Sequence, residues 1–230
     1  MQQFLVNMIP AHVRKRRRDH LLMSKEKVLR RLANEKTEHK DFIWYILKQR
    51  ERHDLRQDEI IVNGALFIVA GSETTANALS GLIARLIWNP DKYAKLTKEI
   101  REAFTTEKEI TNDNVAKLPY FNACIEEGLR IHPPVPVGLL RTVPEGGSYI
   151  DGNWVPAGVS DASYFIYMNA NNSLQTSVAV NSWAASHNPA NFRNPDSFIP
   201  ERWIEDGYST DIKKGMQPFS LGPRGCIGRQ

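Results

Sequence analysis

The sequence predicts a mainly α-helical chain with a small β patch and a C-terminal site built from loops. Three observations carry this. Apolar residues recur at helical spacing through most of the first half and beyond, up to about Glu145. The texture then changes to β-branched and aromatic residues set between Gly, Pro and Asp-Gly turn signals. From Asn181 onward the chain is rich in Pro and Asn, and it closes on a Gly-rich segment around Cys226.

Taken in order, a first helix is expected from about Pro10 to Asn34, a second from Lys40 to Gln49 and a third from Arg56 to Trp88. Pro90 suits the first turn of a fourth, "DKYAKLTKEIREAF", where a missing N–H costs nothing. "TNDNVAKLPYFNACIEEGLRIHPP" opens on capping residues and stops at Pro133 and Pro134, so it reads as one helix. "VGLLRTVPEGGSYIDGNWVPAG" reads as short strands and hairpins. The chain contains no internal repeats.

A length of 230 residues suits one domain or half of a large one, and 41% hydrophobic residues suffice for a core. Two cysteines, Cys124 and Cys226, argue against a disulfide scaffold and for a reducing compartment. The longest apolar stretch, Ile60 to Gly71, is too short to span a bilayer and is interrupted by Asn63. No signal peptide opens the sequence. The net charge of +4 is concentrated early, as "RKRRR" from Arg14 to Arg18. Such a run suits an anionic partner or nuclear targeting. Its place among helically spaced apolar residues favours the solvated face of a helix. No aromatic residues interleave with it, so nucleic acid is not an expected partner.

One stretch has no period at all. Val159 to Gln175 separates "NWVPAG" from "TSVAVNSWAASHNP" and carries a single charge, Asp161. Val159-Ser160 can be encoded GTAAGT, Ala170-Asn171 GCTAAC, and Gln175 CAG. Those are an intron donor, a branch point and an acceptor. The segment is therefore expected to be a retained intron translated in frame, the alternative being a surface-loop insertion. Genomic codons that do not spell these signals would remove the idea.

In "FSLGPRGCIG", Phe219 to Gly228, the glycines Gly222, Gly225 and Gly228 allow a tight bend around Cys226. Arg224 supplies a nearby cation and Phe219 an apolar lid. A cysteine held rigidly, partly desolvated and near a cation can exist as the thiolate that binds metal. No CxxC or His pair accompanies it, so a tetrahedral zinc site is excluded. One thiolate suffices as the axial ligand of haem iron, and a buried structural cysteine is the alternative. "AGSETT", Ala70 to Thr75, places small residues where a ligand could approach a helix. Its hydroxyls can bond back to carbonyls and open the helix locally. Glu73 and Thr74 pair an acid with a hydroxyl, a workable proton relay. "EGLR" places Glu127 and Arg130 on one helix face.

These segments resemble the cytochrome P-450 family, and they occur in its order. Phe219, Gly222, Arg224, Cys226 and Gly228 match each fixed position of the FxxGxRxCxG haem-ligand loop. "AGSETT" resembles the oxygen-activation segment of its long central helix, and "EGLR" its ExxR. "PERW", Pro200 to Trp203, is similar to its PERF loop, with Trp203 for Phe. The details "EEGLRIHPPVP", "NSWAASHNP" and "FIPERW" look most like fungal secondary-metabolism members.

The resemblance implies a partial P-450 fold, with a central long helix, an ExxR helix, β hairpins and a cysteine haem loop. It implies a haem b whose iron is held by Cys226. Arg141 and Arg224 are its candidate propionate contacts, and Phe219, Gly222, Gly228, Ala70 and Gly71 lie around it. Glu73 and Thr74 would deliver protons. Glu127, Arg130 and Arg202 would form a buried structural lock with no part in the chemistry. Val135 to Leu139 would line a pocket for a small hydrophobic, secondary-metabolite substrate, with His132 and His187 serving the loops or core. O2 is the oxidant, and electrons come from NADPH through a separate reductase. One oxygen atom enters the substrate. Residues 1–230 would be a single incomplete haem-thiolate domain, outside which lie an N-terminal membrane anchor, early helices and a helix after the cysteine loop. The full-length protein would sit on the cytosolic face of the endoplasmic reticulum, and this portion alone would be cytoplasmic. Two competing expectations are a catalytically inactive truncated or mis-spliced product, and a basic helical interaction module using Arg14 to Arg31.

Overall fold

The structure, a computed structural model, describes residues 10–34, 40–50, 52–157 and 176–229. The suspected retained intron, Val159 to Gln175, lies outside the described residues. The chain divides into two compact units, Met1–Thr75 and Ala76–Gln230.

The first unit contains α1 (Ala11–Ala33), α2 (Phe42–Gln49) and the opening turns of α3 (Gln57–Trp88). Asp41 starts α2 by accepting the Trp44 backbone N–H at 2.8 Å, and it pairs with Arg31 of α1 at 2.7 Å. Val28, Ile43 and Ile60, one from each helix, close a small apolar cluster. The basic run on α1 is solvent-facing at Arg14, Lys15, Arg16 and Arg18, in agreement with a solvated face. Asn63 does not interrupt α3. Its side-chain amide donates to the Glu59 carbonyl one turn back, 2.8 Å away, so the polar group is satisfied on its own helix. The helix therefore runs on for 32 residues. By length and composition alone it could cross a membrane, which the shorter stretch Ile60 to Gly71 could not.

The second unit takes the rest of α3 with α4 (Pro90–Ala103), α5 (Asn112–Val115) and α6 (Pro119–Ile131). The expected single helix after Thr111 is two. Thr111 caps α5, and Pro119 begins α6 at its first turn. The two leading N–H groups of α6, from Tyr120 and Phe121, donate to the Glu99 carboxylate of α4 at 2.9 and 2.8 Å. A carboxylate at a helix N-terminus satisfies otherwise unpaired donors and opposes the helix dipole. Leu86, Leu96, Tyr120, Cys124, Ile131 and Phe198 form the core of this unit.

Two small antiparallel sheets follow. In one, β1 (Arg141–Thr142) pairs with β4 (Ser177–Val178). In the other, β2 (Ser148–Ile150) pairs with β3 (Asn153–Val155). The second turns at Asp151-Gly152, both at positive φ, as a two-residue hairpin requires. After β4 the chain is more ordered than its Pro and Asn content suggests. Asn181 caps the short helix α7 (Ser182–Ser186), and 3-10 turns form at Pro200–Trp203, Asp206–Tyr208 and Lys213–Gly215.

Gly81 shows how tightly α3 and α6 approach within this unit. A Cβ there would lie 2.2 Å from Cδ2 and 2.5 Å from Cγ of His132, the residue that ends α6. The His132 ring is held by Asn77, one turn earlier on α3, at 3.0 Å. Gly81→Ala gains about 1 kcal/mol of helix propensity but overpacks a fixed ring, at about 1–3 kcal/mol. A net loss of about 1 kcal/mol is expected in urea unfolding. A net gain would show that His132 moves aside freely.

Candidate functional site

The best-defined polar feature is a buried ionic cluster at the junction of α6 and the Pro200–Trp203 turn. Helical spacing aligns Glu127 with Arg130, and both are 0% exposed. The pair is bidentate, Nε to Oε2 and Nη2 to Oε1, both at 2.8 Å. Arg202, also 0% exposed, brings its Nε to 3.0 Å from Oε2 of the same carboxylate. The Ile199 backbone N–H donates to Oε1 at 2.9 Å. Arg130 then spends its remaining donors on the carbonyls of Ser186, Pro195 and Ser197. So the structure brings Glu127, Arg130 and Arg202 together as expected.

It adds Asp211, which sequence reasoning missed. Asp211 pairs with Arg202 Nη1 and accepts the Arg193 backbone N–H at 2.9 Å. Two buried cations therefore face two buried anions. No local pattern signals Asp211, because its partner lies nine residues away across irregular turns.

Glu201, beside Arg202, faces the opposite way. It accepts from the Tyr120 hydroxyl and from Lys95, each at 3.1 Å, with Lys92 at 3.2 Å. Burial pulls its pKa up, but its own backbone N–H and the two lysines outweigh that and hold it below the usual carboxylate range. Nearby Cys124 is buried. Desolvation, then the charge of Glu201, pushes its thiol up to about 12, so it is an inert core residue.

The cysteine loop is bent by its backbone. The Cys226 N–H donates to the Phe219 carbonyl at 2.7 Å, and the Gly225 N–H to the Gly222 carbonyl at 2.9 Å. Only one of the three glycines uses left-handed backbone, Gly222 at φ +71°, and Ser220 joins it at φ +59°. Gly225 instead allows a close approach, since a Cβ there would come within 3.2 Å of the Gly222 carbonyl oxygen. Cys226 is exposed, against the expected partial desolvation, because the whole run Leu221–Arg229 carries no packed cover. Arg224 is likewise exposed. Phe219 is half-buried and faces Arg229, whose guanidinium lies 5.7 Å from its ring centre. It lines a cavity of about 760 Å³ with Trp203, Met216 and Gly228.

Arg141 is exposed on β1, its guanidinium donating to the adjacent Leu140 carbonyl at 3.0 Å. Ser72 and Thr74 bond back to the carbonyls of Ile68 and Ala70, each at 2.6 Å, as expected. They do not open the helix, which stays α throughout. Glu73 is exposed, and no hydrogen bond joins it to Thr74. Ala70 and Gly71 are exposed, with open space where a Gly71 Cβ would stand. His132 and His187 are half-buried, the latter stacked on Trp183 at 4.3 Å.

The family model for cytochrome P-450 matches residues 4–230. The chain belongs to the cytochrome P-450 family. Among curated relatives, cytochrome P-450 monooxygenase aba2 of Botryotinia fuckeliana (strain B05.10) is 44% identical over 232 residues, covering 100% of this chain and 41% of the relative. Monooxygenase lcsI of Purpureocillium lilacinum is 39% identical over 99% of this chain and 41% of its own length. Monooxygenase prhB of Penicillium brasilianum is 42% identical over 98% and 42%. The chain thus spans about two-fifths of the length of the curated relatives it matches.

Membership implies a thiolate-ligated haem iron, and the donor set of this P-450 chain is compatible with one. Among the described residues no group of three His, Cys, Asp or Glu could hold a metal ion. The accessible soft donor is Cys226, on a backbone-braced loop, while Cys124 is sealed in the core.

Proposed function

We propose that this chain carries the thiolate half of a haem-thiolate monooxygenase, acting on a small hydrophobic substrate of fungal secondary metabolism. The observation that carries this reading is the cysteine loop. An exposed Cys226 is presented by a backbone bond to Phe219 and a left-handed Gly222, at the positions of the family's ligand motif. When bound, the haem would supply activation of O2, with electrons arriving from an NADPH-dependent reductase.

The chain's own residues would then act as follows. Cys226 would hold the iron. Arg141 and Arg224, both exposed cations, would meet the propionates, since a guanidinium suits a carboxylate. Thr74 would turn its hydroxyl from the Ala70 carbonyl toward a proton path that Glu73 feeds from solvent. Ala70 and Gly71 would leave space for close approach, and Val135 to Leu139 would contribute apolar wall. Glu127, Arg130, Arg202 and Asp211 would keep the preceding turns in place and take no part in the reaction. Location on the endoplasmic reticulum membrane belongs to the same proposal.

The deciding test is the absorption spectrum of the haem-reconstituted chain, reduced and bound to carbon monoxide. Thiolate ligation gives a strongly red-shifted Soret band. Cys226→Ser is expected to abolish it, and Cys124→Ser to leave it intact. A chain that binds haem without that band, or keeps it in Cys226→Ser, removes the reading.

A further inference from the structure

We propose that Trp203 is a positioning residue, the fourth arm of the Glu127 carboxylate, which ties the buried ionic cluster to the base of the cysteine loop. The indole Nε1–H donates to Glu127 Oε2 at 3.0 Å. Arg130 Nε also donates to that oxygen, while Oε1 takes Arg130 Nη2, the Arg202 Nε at 3.1 Å and the Ile199 N–H. A buried carboxylate has about four lone-pair sites to satisfy. Without the indole Oε2 keeps a single hydrogen bond, from Arg130 Nε, which is costly for a buried charged oxygen. A phenylalanine, the residue of the motif that "PERW" resembles, offers a ring of related shape but no donor. The tryptophan therefore supplies a donor that a phenylalanine in its place would lack.

The same ring also lines a space shared with the loop. Trp203 is half-buried and lines the cavity of about 760 Å³ together with Met216, Phe219 and Gly228. Lys213 lies with its Nζ 5.9 Å from the ring centre. Fixing the indole at Glu127 thus fixes one wall of the space on which Phe219 rests, and Phe219 is the residue whose carbonyl holds the Cys226 N–H. The reach to Cys226 rests on the proposed function, whereas the hydrogen bond to Glu127 does not.

The test uses the whole chain and two substitutions. Trp203→Phe removes the donor and keeps an aromatic ring. Trp203→His keeps an N–H on a smaller ring. The first readout is hydrogen exchange of the Trp203 indole, assigned among the five tryptophans by its loss in Trp203→Phe or in Trp203→His. Exchange slower than a free indole by roughly two orders of magnitude is expected, as for a group released only on opening of the core. The second is thermal unfolding. Trp203→Phe is expected to lower Tm by roughly 4 °C or more, and Trp203→His to recover most of that. Fast indole exchange overturns the proposal, and it decides even if Trp203→Phe fails to fold. So does a Trp203→His as unstable as Trp203→Phe, since that ranking means ring packing alone. With haem added, Trp203→Phe is expected to lose thiolate-type spectrum faster on storage than Trp203→His. If no variant shows that spectrum, the haem reading fails while the exchange result stands.

Discussion

Glu127→Gln is expected to destabilise the second unit by about 3–5 kcal/mol, the range for breaking a buried ion pair from one side. The substitution preserves size, so the loss is electrical. Two guanidiniums and two carboxylates, Arg130, Arg202, Glu127 and Asp211, have side chains no more than 1% exposed. Removing one anion leaves an uncompensated positive charge with no water to screen it. Nor can the new amide serve as acceptor on both sides. In one orientation its NH2 faces the Arg130 Nε and Trp203 Nε1 donors, and in the other it faces Arg130 Nη2 and Ile199 N. Either way donors meet donors.

Typical domain stability is about 5–15 kcal/mol, so a large share of it would be gone. The urea midpoint should fall steeply with the slope unchanged. Arg130→Met in the Glu127→Gln background should cost much less than the same change in the parent, because the charge it removes is already unpaired. Additive losses would mean that the two side chains act independently, against the bidentate geometry.

The same cluster shows what the sequence could and could not disclose. Glu127 and Arg130 are legible because a helix converts a spacing of three into contact. Arg202 was placed by resemblance, from the motif around it. Asp211 and the hydrogen bond of Trp203 to Glu127 are not legible, since the partners lie 9 and 76 residues away and no periodicity carries across turns. Helix positions were legible to within a few residues because apolar spacing, Pro90 and the Asp-Gly hairpin are local signals. The errors were local competitions. Asn63 interrupts the apolar stretch Ile60 to Gly71, but its amide reaches the Glu59 carbonyl and the whole helix is long and apolar enough to span a membrane. The α5–α6 division is signalled by Pro119, which like Pro90 suits a first turn and not a helix interior, and the single-helix reading passes over it. At the cysteine loop the bend was anticipated, but it was assigned to three glycines when Gly222 and Ser220 supply the left-handed backbone.

Phe192→Ala is the other change expected to cost about 3–5 kcal/mol, and for a different reason. Phe192 is 0% exposed, in a stretch, "NPANFRNP", that reads as loop. Its ring lies beside two buried cations, with its centre 5.3 Å from the Arg130 guanidinium carbon and 5.9 Å from that of Arg202. Removing it opens a cavity and withdraws the π face from both arginines. Phe192→Leu separates the two effects. It refills most of the volume and cannot offer a π face, so it should lose only about 1–2 kcal/mol, within the range of desolvated cation–π contacts. A leucine variant as stable as the parent would assign the whole effect to packing. The ring also occupies space that water would otherwise enter once Arg130 and Arg202 lost their cover. Phe192→Ala should therefore weaken the Glu127 cluster itself. Combined with Glu127→Gln, its cost should fall below its value in the parent, because part of what the ring protects is no longer there.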